Sequence, residues 1–104
     1  MPALLFLLAS LFIQASASAQ SEDLGAKSQR AKELMAQGKF ADAVPLYREL
    51  NVAVPNNPGL LLNLGMALHM AGDERKSLPH LEAAIKLDPQ LTPAWLFLGA
   101  ARLQ

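Results

Sequence analysis

The sequence predicts an all-α fold, an α-α superhelix or solenoid built from antiparallel helix hairpins. Three observations carry this. The first is a period of 34 residues: Gly38 recurs as Gly72, Pro45 as Pro79, Pro55 as Pro89, and Leu61, Leu64 and Gly65 as Trp95, Leu98 and Gly99. A fixed period of that length marks a stacked array in which no unit can bury its apolar face alone. The second is apolar spacing of three and four, as in Leu78, Leu81, Ala84 and Ile85, which is helical. The third is punctuation, with glycine in mid-unit and proline at the unit ends.

Composition bounds the function. The chain has 104 residues, enough for one small domain, and 52% of them are hydrophobic, enough for a core. Nine Lys/Arg balance nine Asp/Glu, so the electrostatic footprint of a nucleic-acid binder is missing. There is no cysteine, which excludes disulfides, thiolate metal sites, a cysteine nucleophile and Cys-linked lipid.

The elements follow in order. Residues 1–21 carry no charged side chain; Ala3 to Ile13 is apolar apart from Ser10, and Ala15-Ser16-Ala17-Ser18-Ala19 follows. A short greasy run before an A-x-A site reads as a signal peptide over 1–19, cut after Ala19 or after Ala17. The pre-apolar segment is only Met1-Pro2, with no Lys or Arg, a departure from that pattern. Pro2 to Ile13 falls short of the ~20 residues that cross a bilayer. The expected location is therefore exported, periplasmic or secreted. Residues 20–23 are a short tail.

Residues 24–57 form the first unit. Ala31, Leu34 and Met35 face inward, Gly38 breaks the chain, and Val44, Tyr47, Leu50 and Val54 form a second stripe. Residues 58–91 form the second unit, broken at Gly72-Asp73 and ended at Asp88-Pro89, because a residue before proline is pushed out of the α region. Residues 92–104 open a third. Pro45 and Pro79 occupy one place in their units. Proline suits the first helical turn, so the second helices are expected to begin near Asp42 and Lys76, or to bend. Trp95, Leu96, Phe97, Leu98 and Leu103 leave the last helix strongly apolar, which points to an incomplete array or to self-association through the third unit.

This order of residues resembles the tetratricopeptide repeat, whose pattern is Trp-x2-Leu-Gly-x2-Tyr, then Ala-x3-Phe, then Pro. Trp95-x2-Leu98-Gly99 matches its opening, and Leu61-x2-Leu64-Gly65-x2-Leu68, Ser77-x3-Leu81, Ala84 and Pro89 match more widely. Ala43-x3-Tyr47 and Pro55 match in unit one. Lys27 and Arg30 depart from the pattern, and at the outer edge of the array they are expected to face water as a polar cap.

The resemblance implies that first helices line a concave face. Ser28, Lys32 and Met35 from unit one, Leu62, Asn63, Met66, His69 and Met70 from unit two, and Leu96 and Ala100 from unit three make up the candidate peptide groove. Pliable methionine suits apolar segments of varied shape; packing is the alternative role for the same residues. A variant of the family clamps the carboxylates of chaperone tails with Lys, Asn and Arg. Only Asn63 matches that set, while Ser28, Lys32, Pro93 and Phe97 stand at the other positions. A clamp is therefore not expected.

Candidate chemistry is sparse. His69 and His80 lie on different helices at a spacing that makes no ligand pair. Asp73-Glu74 precedes a helix, where acids favour the N-terminal dipole, and Glu22-Asp23 lies in the tail. No HExxH, GxSxG or phosphate-loop pattern occurs. The expectation is a non-catalytic module without cofactor or metal, which binds another protein or an extended peptide. The alternative is the N-terminal docking region of a larger exported enzyme, and a third reading is an uncleaved membrane anchor that carries the repeats.

Overall fold

A computed structural model of the chain describes residues 23–103. The expected signal peptide over 1–19 lies outside the described residues. Helices are α1 (23–36), α2 (Phe40–Ala53), α3 (Pro58–Met70), α4 (Glu74–Leu87) and α5 (Thr92–Arg102), with no strand among the described residues. They run as two helix hairpins and a further first helix. α3 packs on both α2 and α4, and α5 packs on α4 and more lightly on α3. This is the all-α solenoid that the 34-residue period predicts.

The stops are local chemistry. Gly38 and Gly72 adopt φ of 75° and 89°, in the left-handed region where a Cβ is strained. At each, two backbone bonds close a Schellman turn: Lys39 N–H to Leu34 O and Gly38 N–H to Met35 O, then Asp73 N–H to Leu68 O and Gly72 N–H to His69 O. Asn57 caps α3, its side chain accepting from Leu60 N–H at 3.1 Å, and Pro58 opens that helix where a missing N–H costs nothing.

The second helices begin earlier than expected, at Phe40 and Glu74 rather than near Asp42 and Lys76. Pro45 and Pro79 therefore lie inside their helices. The turn at each glycine returns the chain to helical geometry at once. The proline that follows removes only one ladder bond, to the carbonyl of Ala41 or of Arg75, on an exposed side of the helix.

Two apolar clusters share α3. The first joins Ala31 and Leu34 of α1, Ala43, Val44, Tyr47 and Leu50 of α2, and Leu64, Ala67 and Leu68 of α3. The second joins Leu62 of α3, Leu81 and Ala84 of α4, and Ala94, Leu98 and Ala101 of α5. Gly65 lets α4 approach: a Cβ there would stand 2.6 Å from Leu81 Cδ2.

Candidate protein-binding groove

All the candidate side chains stand on first helices, α1, α3 and α5. Between α1 and α3 lies a crevice of about 410 Å³, walled by Leu24, Gly25, Ser28 and Lys32 on one side and Leu60 and Asn63 on the other. Leu50 and Val54 of α2 also line it. Lys32 is its only charged lining group. The structure thus brings Ser28, Lys32 and Asn63 together.

The remaining candidates divide by burial. Leu62, 8% exposed, sits in the second core cluster, and Met66 packs partly buried against the same cluster. Met35 packs likewise against the first cluster. Met70 and Leu96 stand open, at 47% and 69% exposure, and Ala100 is half-buried. His69 of α3 meets Phe97 of α5 edge to face, with ring centroids 5.7 Å apart. His69 Nδ1 is buried without a hydrogen-bond partner, 3.7 Å from Glu74 Oε1.

Electrostatics on the other helix faces were only partly legible. Lys27 does not simply face water: its Nζ lies 2.9 Å from Glu49 on α2 and 3.6 Å from Asp23. The hydrogen bond to Glu49 raises its pKa above the ordinary lysine value. Its long stem reaches across to α2 and replaces the apolar contact made elsewhere in the array at this position. Burial lowers the pKa of His80, and the nearby Arg48 lowers it further. Burial raises that of Tyr47.

Sequence reasoning missed Asn51. Its Nδ2 donates to Tyr47 O at 2.9 Å and to Leu60 O at 3.2 Å, and so ties α2 to α3. Its counterpart one period on is Ile85, so the repeat offers no signal for it. Asn51 also borders a second cleft, of about 610 Å³, lined by Pro55, Asn56, Leu61, Ala83, Lys86 and Leu87.

Neither cleft pairs a nucleophile with a base. Among the described residues no three His, Asp or Glu side chains stand together to hold a metal. None of the described helices is long and apolar enough to cross a membrane. The arrangement offers surface for binding: apolar walls, a few polar groups and one lysine in each cleft.

The fold is that of a tetratricopeptide-repeat domain. The crystal structure of the Sgt2 TPR domain from Aspergillus fumigatus is similar with a TM-score of 0.71 and 28% identity, over 78% of this chain and 54% of that one. In sequence the chain is similar to the heat-shock protein cognate (HSC) co-chaperone sgt12 of the same fungus, with 30% identity over 94 residues, covering 84% of this chain and 28% of that protein. The chain thus spans less than a third of that relative's length. No family profile matches it.

These relatives correct one expectation. The similarity runs to co-chaperone TPR domains and not to exported proteins, which overturns the exported, periplasmic or secreted location. That reading rested on the apolar run and the A-x-A pattern within residues 1–19. A short apolar run followed by small residues is a weak pattern beside a match that runs through the repeats.

Proposed function

We propose that the chain is a non-catalytic protein-binding module that holds an extended, largely apolar peptide along the first helices. The observation that carries this is the crevice between α1 and α3; Met70 and Leu96 stand exposed on the later first helices. Binding follows from burial of apolar surface, with Asn63 and Ser28 available to peptide backbone groups and Lys32 to one acidic group. The TPR-domain fold and the co-chaperone relative support protein binding as the class of function. They also bring chaperone tails into consideration as partners. The crevice favours apolar peptides over such tails, because Lys32 is its single cation and a multi-cation clamp is absent from its lining.

The test is selection of peptides from a displayed random library on the 104-residue chain, followed by NMR mapping of a selected peptide. Shifts should concentrate on Ser28, Lys32, Asn63, Met66, Met70 and Leu96. Met70→Glu and Leu96→Glu, both exposed and so harmless to the core, should each weaken binding roughly tenfold or more. Failure to select any peptide, or shifts confined to the second helices, would sink the reading.

A further inference from the structure

The second cleft lies inside the array and not at its end. Asn51 and Pro55 come from α2 and the turn after it, Leu61 from α3, and Ala83, Lys86 and Leu87 from α4 and its last turn. Each unit of such an array touches only its neighbours, so these are the helices that meet at this seam. The opening therefore belongs to two complete units. Asn51 holds its wall in place, because Nδ2 ties α2 to α3 through Tyr47 O and Leu60 O. The volume, about 610 Å³, falls within the roughly 300–1,000 Å³ of binding pockets.

Two stripes lead into the cleft. Arg48, Asn51 and Val52 share one face of α2, and His80, Ala83 and Leu87 share one face of α4, by spacings of three and four. Burial, then the charge of Arg48, lowers the His80 pKa, so the guanidinium stands near that ring across the seam. Apolar surface is open along both stripes, with Val52 83% and Leu87 46% exposed. The free charge is of one sign. Arg48 and Lys86 are exposed, and among the described residues neither has a carboxylate within 4 Å. The acids near them in sequence are engaged elsewhere: Glu49 with Lys27 at 2.9 Å, Glu82 with Arg102 at 3.5 Å, and Asp88 with the Gln90 N–H at 3.1 Å. Residues 1–21 carry no charged side chain, so they offer these cations no partner.

We propose that this seam between the second helices docks an acidic peptide segment of a partner protein, with a large apolar side chain in the cleft and carboxylates on Arg48 and Lys86. Burial against Leu61, Ala83 and Leu87 supplies affinity, and the two cations select the sign of the partner's charge. A basic segment would meet like charge, and a neutral one would leave both cations unmatched. The seam shares no residue with the candidate groove on the first helices, so either site can fail without the other.

The probe is a displayed random peptide library, selected on the 104-residue chain carrying Met70→Glu and Leu96→Glu, two exposed changes that disable the first-helix groove. Enriched peptides should combine a large apolar residue with several acids. By NMR, a selected peptide should shift Asn51, Leu61, Ala83 and Leu87. Its affinity should fall as salt rises. Arg48→Glu together with Lys86→Glu should weaken it roughly tenfold or more, and a peptide with its acids changed to lysine should regain binding to that variant. Leu87→Ser should weaken the original peptide without any change of charge. All three positions are exposed, so the melting temperature should hold in both variants.

Several results would each overturn the proposal. One is failure to enrich any peptide, or enrichment without acids. Another is undiminished binding by the charge-reversed chain, or shifts confined to the first helices. A third is capture of phosphatidylserine vesicles with no peptide selected, which would make the seam a membrane contact. The last is a dimer in ultracentrifugation that the charge reversal dissolves, which would make the occupant a second copy.

Discussion

Two glycines one period apart have opposite environments, and substitution should separate them. A methyl group at Gly65 would meet Leu81, a fully buried side chain with no room to withdraw. Overpacking of this kind costs about 1–3 kcal/mol, against roughly 1 kcal/mol gained from the better helix propensity of alanine. Gly65→Ala should therefore destabilise by about 1 kcal/mol in denaturant unfolding. Gly99→Ala meets nothing and should stabilise by up to roughly 1 kcal/mol; equal effects at the two positions would contradict the packing seen here. A second expectation concerns pH. Burial, then the charge of Arg48, favours the neutral ring of His80 in the folded chain. As pH falls, the unfolded chain takes up this proton first, so stability is held above about pH 6.5 and declines below it. His80→Gln should flatten that decline in thermal melts between pH 7 and 5. An unchanged slope would assign the effect to other groups. Lys27 behaves in the alkaline range: its raised pKa supports the fold at neutral pH and is lost as pH climbs past the ordinary lysine value.

At the scale of the helix, much of the architecture was legible because its causes are local. Gly38 and Gly72 stop helices by adopting a left-handed φ, and any reader of the sequence can place such a stop. The prolines misled for a related reason. The rule that proline starts a helix describes what costs least, whereas Pro45 and Pro79 show a helix absorbing one lost bond on its solvent side. That cost is measurable. Pro79→Ala restores a donor for the Arg75 carbonyl and removes the ring clash, worth up to about 3 kcal/mol within a helix, but it frees the unfolded chain by roughly 1 kcal/mol. A net gain of about 1–2 kcal/mol is expected, read as a rise in denaturation midpoint. A loss of stability would show that the helix is shaped around the proline. Tertiary pairings were less legible. Lys27 read as a water-facing charge, because nothing in the sequence tells that Glu49 lies within reach across the hairpin. Leu62 and Met70 both belong to the stripe assigned to the groove, but only the position of α5 decides that Leu62 is covered and Met70 is not. The apolar run and A-x-A pattern at residues 1–19 suggested export, and the co-chaperone relatives overturned it, since a run of small and apolar residues has no register to check it against.

Across the whole array, contacts run between neighbours, and α3 is the one helix that both clusters share. In such a quasi-one-dimensional fold, stability is a sum of units and the interfaces between them, so the ends open at lower cost than the middle. α1 is covered mainly by α2 and α3, and α5 by α4 with a lighter contact to α3. Native-state hydrogen exchange should then show the slowest amides in α3, intermediate rates in α2 and α4, and the fastest in α1 and α5. The same logic separates two core substitutions of equal chemistry. Leu64→Ala and Leu98→Ala each empty a site that is almost fully buried, at a cost of about 2–5 kcal/mol. Leu64 lies in the shared helix, so its loss should speed exchange throughout the chain and lower the cooperativity midpoint of the whole. Leu98 lies in α5, so its loss should release α5 and the facing side of α4 while α1 and α2 keep their protection. Exchange that rises uniformly in both variants would mean that the described residues fold as a single cooperative block.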